Sequence, residues 1–235
     1  MAKEKFKTFE GVFDDFTYRN LFKMMSQGYF EGIRSPLSIG KEANIFSAPR
    51  KDGTIAVIKI YRLETCDFNR MYDYIKYDPR FFHVKPHKRK VIFAWAQREY
   101  KNLLKAREAG VSVPTVYAAY YNILVMEMVG GMQPAPKLQH AVPEDIKAFA
   151  ADVIKNMKKL HKAGLVHGDL SSFNILNNDG KPVFIDFSQC SPIESVRAKE
   201  FLLRDCTNMA KFFTKYGYKI TGEKIERMVT GKGKL

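Results

Sequence analysis

One polar segment in the second half of the chain restricts its fold and chemistry more than any other feature. Residues 167–174 read HGDLSSFN, and Asp186 follows twelve positions after Asn174, at the end of an apolar run. Asp169 and Asn174 are five positions apart, a spacing at which a single loop directs both side chains to one place. Asp186 is predicted to close a strand and to face Asn174. Phosphoryl transfer needs these groups: a carboxylate that accepts a hydroxyl proton, and oxygen ligands for Mg²⁺.

Each of these residues also has a structural explanation when it is taken alone. A loop aspartate or asparagine commonly forms a turn or caps a helix, and His167 is predicted to fix the loop rather than to take part in chemistry. The joint spacing of Asp169, Asn174 and Asp186 between predicted strands favours the functional interpretation of the set.

The first half of the chain supplies a second set of candidate residues. Lys59 lies near the end of a β-branched run, and Glu99 lies in a predicted helix from which it is expected to form an ion pair with Lys59. A solvated helix face is the alternative for Glu99, and Glu108 is a weaker candidate for the same role. Residues 38–44 read SIGKEAN, which is neither G-x-G-x-x-G nor a Walker A motif, so this loop alone is a weak nucleotide-binding signal.

Predicted strands concentrate in the first half of the chain. A hairpin is expected from about residue 44 to 61, with its turn at Lys51-Asp52-Gly53, because a β-branched run follows that turn. Two further strands are predicted at 113–121 and 123–129. A loose helical pattern at 12–27 precedes the strands, and a helix is predicted between them at 94–109.

The second half is predicted to be mainly helical after Gly130-Gly131. Its clearest helix spans about 143–163, with Pro143 in the first turn and Gly164 just after the end. Helix is also expected from about Ser195 to a frayed tail that begins at Gly231. This distribution predicts one α+β domain with two lobes.

The domain is predicted to occupy 1–235, with an N-terminal lobe at about 1–129 and a C-terminal lobe at about 130–235. A flexible insert is expected at about 66–91, because the separation of forty positions from Lys59 to Glu99 exceeds what a strand–helix connection needs. Its basic and aromatic residues are compatible with RNA contact. A solvated flexible segment with its aromatics against the lobe is an equally supported explanation.

The charge balance favours a polyanionic partner. Thirty-nine Lys and Arg against 25 Asp and Glu give a formal charge of +14, which predicts salt-sensitive association with RNA or phosphates, although an ordinary basic surface also explains it. Three widely spaced cysteines match neither a disulfide framework nor a CxxC metal site, so a reducing cytoplasm and no stable disulfide partner are expected. No apolar run approaches a membrane-spanning length, so no membrane partner is expected.

Seven segments taken together resemble the RIO family of atypical serine/threonine protein kinases. In chain order they read SIGKEANIF, IKIYR, WAQREYKNL, LVMEMVG, HGDLSSFNIL, FIDFSQ and FLLRDCTNMAKFF, and the likeness extends from about residue 11 to residue 215. It is strongest to the first branch of the family, which lacks the N-terminal winged helix of the second, in its compact archaeal-like form. The resemblance implies a two-lobed protein-kinase-like fold with a trimmed C-terminal lobe.

The resemblance also implies roles for residues of the second half. Asp169 is expected to be the catalytic base, and Asn174 and Asp186 are expected to bind Mg²⁺, with Mn²⁺ as an alternative. The family uses its strand aspartate as a phosphoryl acceptor in an ATPase-like cycle, which makes Asp186 a candidate site of an aspartyl phosphate. These roles are carried over from the family and do not follow from spacing.

In the first half, the resemblance implies a site for ATP. Lys59 held by Glu99 is expected to bind the phosphates, and the backbones of Glu127 and Val129 are expected to hold the adenine edge. The residues that are expected to cover the nucleotide lie in the SIGKEAN loop and include Ser38, Gly40 and Lys41.

The function implied is that of a Mg-ATP-dependent kinase or ATPase in small ribosomal subunit maturation, acting in the cytoplasm on the subunit precursor and its rRNA. Two departures bear on this function. Residues 186–188 read Asp-Phe-Ser rather than Asp-Phe-Gly, and no Ala-Pro-Glu signature follows, which puts phosphorylation of free protein substrates in doubt. Ser172 stands where the family commonly carries an acidic residue.

Two alternatives remain at this point. A small-molecule phosphotransferase of the aminoglycoside or choline kinase type shares the HGDL…N and IDF motifs, but those enzymes carry a large helical acceptor domain, and only 49 residues follow Asp186. A non-catalytic ATP-binding scaffold for ribosome assembly is expected to have lost at least one residue of the catalytic set. Every member of that set is present: Lys59, Asp169, Asn174 and Asp186.

Overall fold

The computed structural model describes residues 13–231. The predicted helical start at Val12 and the predicted frayed tail after Gly231 therefore lie outside the described residues. The chain divides into two compact units, one of residues up to 100 together with 115–133, the other of 101–114 together with 134 onward.

The first unit contains a five-stranded antiparallel sheet. Its strands are β1 (Ser35–Ile39), β2 (Ala43–Pro49), β3 (Ile55–Tyr61), β4 (Val116–Tyr120) and β5 (Ile123–Glu127), in the order β1-β2-β3-β5-β4. The predicted hairpin is confirmed, and its turn includes Gly53 at φ +81°, a conformation that glycine adopts without a steric penalty. The two later strands are also confirmed, each a few residues shorter than predicted.

Helix α1 (Asp15–Ser26) covers one face of this sheet. Asp14 caps it by accepting a hydrogen bond from the Thr17 backbone N–H at 3.0 Å. Leu21 and Met24 on its inner face are buried together with sheet residues such as Phe46. Burial of these side chains, rather than helix propensity, stabilises so short a helix.

The predicted insert contains helix α2 (Phe68–Ile75) and leads into helix α3 (Lys88–Glu108). A second apolar cluster includes Met71 and Ile75 of α2 and Trp95 of α3. Asp78 links the insert to α3, because its Oδ2 accepts hydrogen bonds from Arg98 Nε at 3.0 Å and from Arg80 at 2.7 Å. Asp78 and Arg98 are each only 1% exposed. Burial raises the pKa of Asp78, but the two guanidinium groups outweigh burial and lower it.

The second unit is mainly helical, as predicted. It contains α4 (Ile146–Lys162), α5 (Ala198–Lys215) and α6 (Gly222–Thr230). Four short strands form two separate two-stranded sheets: β6 (Leu165–Val166) with β9 (Ser191–Pro192), and β7 (Ile175–Asn178) with β8 (Lys181–Phe184).

Helix α4 begins later than predicted. Asp145 accepts a hydrogen bond from the Ala148 N–H at 2.9 Å and starts the helix at Ile146, so Pro143 lies outside the first turn. The end is as predicted: Gly164 adopts φ +76° directly after the last helical residues. Phe149 and Val153 lie on the buried face of this helix. Among the helices within 13–231, none is both long and apolar enough to cross a bilayer.

Candidate active site

Lys59 and Glu99 form a buried ion pair in the first unit. Strand β3 presents the Lys59 ammonium group to the Glu99 carboxylate of α3, with Nζ–Oε1 at 2.8 Å, and the Tyr61 hydroxyl donates to the other carboxylate oxygen. Lys59 is 7% exposed and Glu99 is 1% exposed. A charge pair so deeply buried holds both side chains in one geometry, because breaking it leaves an uncompensated charge in the interior.

The loop between β1 and β2 makes a tight turn at Gly40. The Gly40 N–H donates to the Ala43 carbonyl at 3.1 Å, and a Cβ atom at Gly40 would lie 3.0 Å from that oxygen, so a side chain here would crowd the turn. The Thr65 hydroxyl donates to the Lys41 carbonyl at 2.7 Å, which ties the loop to the segment after β3. Ser38 and Lys41 are exposed. The loop therefore offers backbone and exposed polar groups at the end of a hairpin.

The last residue of β5 and the segment after it contain the two predicted adenine-contact residues, Glu127 and Val129. The Glu127 side chain accepts from the Thr115 N–H at 2.9 Å and from the Thr115 hydroxyl at 2.6 Å, so its carboxylate is committed to the protein. The Glu127 N–H donates to the Thr115 carbonyl, and the next N–H, of Met128, donates to the Ile55 carbonyl. Val129 is buried and follows the end of the strand. The Glu127 carboxylate and the N–H groups of Glu127 and Met128 are therefore all engaged within the protein.

Asp169 and Asn174 are brought together in the second unit. The Asn174 amide donates to the Asp169 carbonyl at 2.8 Å and to the Asp169 Oδ2 at 3.3 Å. The Ile185 N–H donates to the Asn174 carbonyl at 3.0 Å, which joins this loop to the residue before Asp186. Asp169, Asn174 and Asp186 are all half-buried, so each remains accessible to solvent.

The prediction that Asp186 closes a strand is wrong. Strand β8 ends at Phe184, and Asp186 lies two residues beyond it at φ +61°, where it precedes a 3-10 turn at Phe187–Gln189. A non-glycine residue in the left-handed region is uncommon and marks a position held by its surroundings. The Ser188 hydroxyl donates to Asp186 Oδ1 at 2.7 Å, so the serine of the Asp-Phe-Ser departure orients the carboxylate.

Asp205 of helix α5 holds the loop that carries Asp169, and the sequence did not single it out. Its Oδ2 accepts from the Gly168 N–H and its Oδ1 from the Leu170 N–H, each at 2.8 Å, while Arg204 donates to the Gly168 carbonyl. Burial raises the pKa of the Asp205 carboxyl to about 7, against the two N–H donors and the Arg204 charge, which lower it. The signal that could have found it is a carboxylate on the apolar face of a predicted helix.

Gln189 is a second residue that sequence reasoning missed. Its side-chain amide donates to Asp169 Oδ2 at 3.2 Å. The residue is 7% exposed and stands in the FIDFSQ segment, where nothing about an isolated glutamine distinguishes it from a surface residue.

His167 and Ser172 have structural contacts. His167 Nε2 lies 3.1 Å from the Ile185 carbonyl, to which it donates, and its ring packs against Phe187, in agreement with the predicted role of fixing the loop. The Ser172 hydroxyl donates to the Gln139 side-chain oxygen at 2.6 Å, so it contributes to the shape of the loop rather than to its charge.

The donor set of the second unit fits a hard divalent cation. Asp186 and Asn174 supply a carboxylate and an amide oxygen, which are ligand types that Mg²⁺ takes in phosphoryl-transfer sites. The left-handed backbone at Asp186 and the Ser188 hydrogen bond fix its carboxylate in advance of binding. Asp169 lies beside Asn174 as a carboxylate that can accept a proton.

The chain is similar to a known family over most of its length. Residues 44–225 match the model of the RIO domain. The RIO-type serine/threonine-protein kinase Rio1 of Haloferax volcanii is 40% identical over 97% of this chain and 79% of its own length. That of Methanocaldococcus jannaschii is 39% identical with the same coverage. Human serine/threonine-protein kinase RIO1 is 35% identical over 89% of this chain and 38% of its own length.

A solved structure supports the fold. The Rio2 kinase–ADP/Mg²⁺–phosphoaspartate complex of Chaetomium thermophilum matches with a TM-score of 0.67 at 20% identity, covering 91% of this chain and 69% of that one. At this identity the likeness shows the fold alone. The predicted two-lobed α+β protein-kinase-like fold is therefore confirmed.

Proposed function

Because the chain belongs to the RIO family of serine/threonine protein kinases, we propose that it is a Mg-ATP-dependent phosphotransferase of the first branch of that family, with protein-kinase or ATPase turnover. One observation carries this proposal. In the second unit the Asn174 amide is hydrogen-bonded to Asp169, and Asp186 has a fixed left-handed backbone conformation. This is the arrangement of a base beside metal ligands that phosphoryl transfer requires.

In this proposal the first unit binds ATP. Lys59, oriented by Glu99, contacts the phosphates as a compact positive charge, and the compact turn at Gly40 lets the backbone of the loop lie close to them. Ser38 and Lys41 cover the nucleotide from the same hairpin. The Glu127 carbonyl and the Val129 N–H contact the adenine edge, consistent with a Glu127 side chain that is already bound to Thr115.

Asn174 and Asp186 would hold Mg²⁺, with Mn²⁺ as an alternative, and the ion supplies charge neutralisation on the phosphate oxygens when it is bound. Asp169 accepts the proton of the attacking hydroxyl group, so the carboxylate becomes protonated as the new phosphorus–oxygen bond forms and ADP leaves. The protein contributes positioning, proton acceptance and the positive charge of Lys59, because the transition state is stabilised mainly by charge.

A second route uses Asp186 as the acceptor. One Asp186 oxygen attacks the γ-phosphorus, and the bond to the bridging oxygen of ADP breaks. Water later attacks the acyl phosphate, giving its proton to Asp169, and the bond between phosphate and the Asp186 carboxyl breaks to release inorganic phosphate. The supporting observations are the fixed Asp186 carboxylate and the phosphoaspartate named in the related Rio2 structure. This route makes the protein an ATP-driven switch.

We further propose that the partner is a small ribosomal subunit precursor and its rRNA, with maturation in the cytoplasm as the process. The supporting surface lies in the insert, where residues 80–90 contain no Asp or Glu. Phe82 is 79% exposed and Tyr77 63% exposed, side chains on which bases can stack. The exposed cations of the same segment are Lys85, Lys88, Arg89 and Lys90.

RNA binding by this surface can be measured with a labelled single-stranded RNA across a salt series. Joint Lys85→Glu and Lys90→Glu substitution should weaken binding at least tenfold and reduce the slope of log affinity against log salt by about 0.7 per lost phosphate contact. Lys211→Glu with Lys215→Glu, exposed positions on α5, is the control with the same change in net charge. Equal weakening in both variants would contradict a local RNA surface.

The enzymatic proposal is tested by incubating the protein with γ-labelled ATP and Mg²⁺, with and without purified small-subunit precursor. We expect phosphate release that the precursor stimulates, and protein-bound label that Asp186→Asn loses if the acyl-phosphate route operates. Label that persists in Asp186→Asn would exclude that route. The absence of ATP binding and turnover under every condition would leave only a scaffolding role.

A further inference from the structure

The side chain of Gln189, in the 3-10 turn after Asp186, reaches back to the loop that carries Asp169. We propose that Gln189 is a positioning residue for phosphoryl transfer, whose side-chain amide fixes the orientation of the Asp169 carboxylate toward the reacting hydroxyl group or water. The inference rests on the proposed function, since it assigns Gln189 a role only if Asp169 is the base.

Two amide groups donate to the same oxygen of Asp169. Gln189 Nε2 lies 3.2 Å and Asn174 Nδ2 lies 3.3 Å from Asp169 Oδ2. Without such donors, the χ2 angle of an aspartate side chain has a broad distribution, so the carboxylate has no single preferred orientation. Donors from two different segments, one within the loop and one after Asp186, restrict that rotation and so fix the direction of the whole carboxylate.

Gln189 is itself held firmly enough to act as a support. The Ser191 hydroxyl donates to its carbonyl at 2.9 Å, and the Asn102 amide donates to the carbonyls of Phe187 and Cys190 at 3.0 and 2.8 Å. The Gln189 carbonyl also lies so near Gly168 that a Cβ there would be 3.0 Å away. A side chain that starts from such a constrained backbone can position a reacting group within a fraction of an ångström.

A neutral amide such as that of Gln189 is a suitable hydrogen-bond donor to a catalytic base such as Asp169. A neutral amide orients a carboxylate without placing a full positive charge on it, whereas a lysine or arginine in the same position would favour the ionised form and weaken its affinity for a proton. Gln189 also links the segment that would bind metal to the segment that carries the base, because it follows Asp186 by three positions. Its loss is therefore expected to affect the chemical step and not ATP binding.

The test compares Gln189→Met, which keeps the length of the side chain and removes the donor, with Gln139→Met. Gln139 accepts a hydrogen bond from Ser172, which lies in the loop that carries Asp169. Gln139→Met is therefore the matched control. Gln189→Met should lower kcat by about 10- to 100-fold with KM for ATP within about twofold of wild type, since misplacement of a reacting group costs up to about 100-fold. Gln139→Met should change kcat by less than about twofold.

A double-mutant cycle separates positioning from general damage. In an Asp169→Ala background, Gln189→Met should lower the residual phosphate release by less than about twofold, because its effect passes through the missing carboxylate. An equal loss in both backgrounds, a kcat loss matched by Gln139→Met, or a loss accompanied by a raised KM and a lowered melting temperature would overturn the inference. A wild-type protein without turnover would instead refute the proposed function.

Discussion

The two groups of candidate residues are held in place by different physical means. Lys59 owes its position to one buried ion pair with Glu99, a side chain 40 positions away in sequence. Asp169 lies in a loop whose flanking backbone N–H groups both donate to the buried Asp205 carboxylate. The first arrangement depends on charge and the second on geometry. Substitutions should therefore reduce stability most at Lys59 and disturb loop geometry most around Asp169.

The largest effect is expected for Lys59→Met. The Glu99 carboxylate, 1% exposed, would keep its charge in the interior without the Lys59 ammonium group. The free energy of unfolding should fall by about 3–5 kcal/mol, and ATP turnover should fall about 100-fold or more because an electrostatic contact to the phosphates is lost. Denaturant unfolding and phosphate release measure the two quantities.

The matched control is Lys59→Met combined with Glu99→Gln. Removal of the second charge should restore most of the stability and none of the turnover. If the single variant is as stable as wild type, or if the double variant recovers turnover, the ion pair does not have the assigned role.

Asp205→Asn should act on the loop and leave ATP binding intact. An asparagine has one acceptor oxygen, so one of the N–H groups of Gly168 and Leu170 would face an NH₂ group instead of an oxygen. A buried donor without a partner costs about 1–3 kcal/mol, and the displaced loop should lower kcat about tenfold. A kcat equal to that of wild type would show that the loop keeps its geometry without this carboxylate.

The effect of Asp205→Asn on the free energy of unfolding should depend on pH. Burial raises the pKa of Asp205 to about 7, above its ordinary value, so the native state holds the proton more tightly than the unfolded chain. This contribution to stability is complete below about pH 4 and is lost as pH rises through 7. The unfolding free energy of wild type minus that of Asp205→Asn should thus decrease between pH 5 and pH 8. A difference that grows with pH would mean that the ionised form is the one the fold favours.

Gly168 and Gly180, both in the second unit, differ in the space available for a side chain. Gly168 and Gly180 both have positive φ, at +79° and +77°, but a Cβ would lie 3.0 Å from a backbone oxygen at Gly168 and would meet nothing within 4 Å at Gly180. Gly180→Ala should cost about 1 kcal/mol for the backbone conformation alone. Gly168→Ala should cost about 1–3 kcal/mol more and also lower turnover. Equal melting temperatures for the two variants would contradict the close packing around Asp169.

The smallest effect is expected from thiol reagents. Burial raises the pKa of Cys66 and of Cys206 to about 12, so neither forms appreciable thiolate at pH 8. Cys190 is buried as well. Labelling of the native protein should be slow and should leave turnover unchanged, whereas unfolding should expose all three thiols. Rapid labelling of the folded protein would show that one of these sites opens readily.

Local sequence patterns were sufficient for much of the fold. The hairpin around Gly53 and the end of α4 at Gly164 follow from turn chemistry and periodicity that act over a few residues. The start of α3 at Lys88 was not predicted, because three cations in a first helical turn oppose the helix dipole. Burial of Val91, Ile92 and Trp95 against the insert overrides that local preference.

The candidate site was predicted in part. Lys59, Asp169, Asn174 and Asp186 were singled out from residue type and spacing, and the structure places Lys59 against Glu99 and Asn174 against Asp169. The left-handed backbone of Asp186 could not be predicted from an apolar run that continues to Phe187, since the strand ends earlier. Asp205 and Gln189 contact residues 20 to 37 positions away. The apolar helix face predicts burial of the Asp205 carboxylate, but no local pattern identifies its partners or those of Gln189.

The most direct test of the account is the effect of Asp169→Ala on steady-state phosphate release from Mg-ATP, with ATP affinity measured by calorimetry on the same preparation. We predict a fall in kcat of about 100-fold or more, within the range that a positioned acid–base group supplies, and an ATP affinity within about twofold of wild type. Turnover that survives the substitution undiminished would contradict the assignment of Asp169 as the base of an ATP-dependent phosphotransferase.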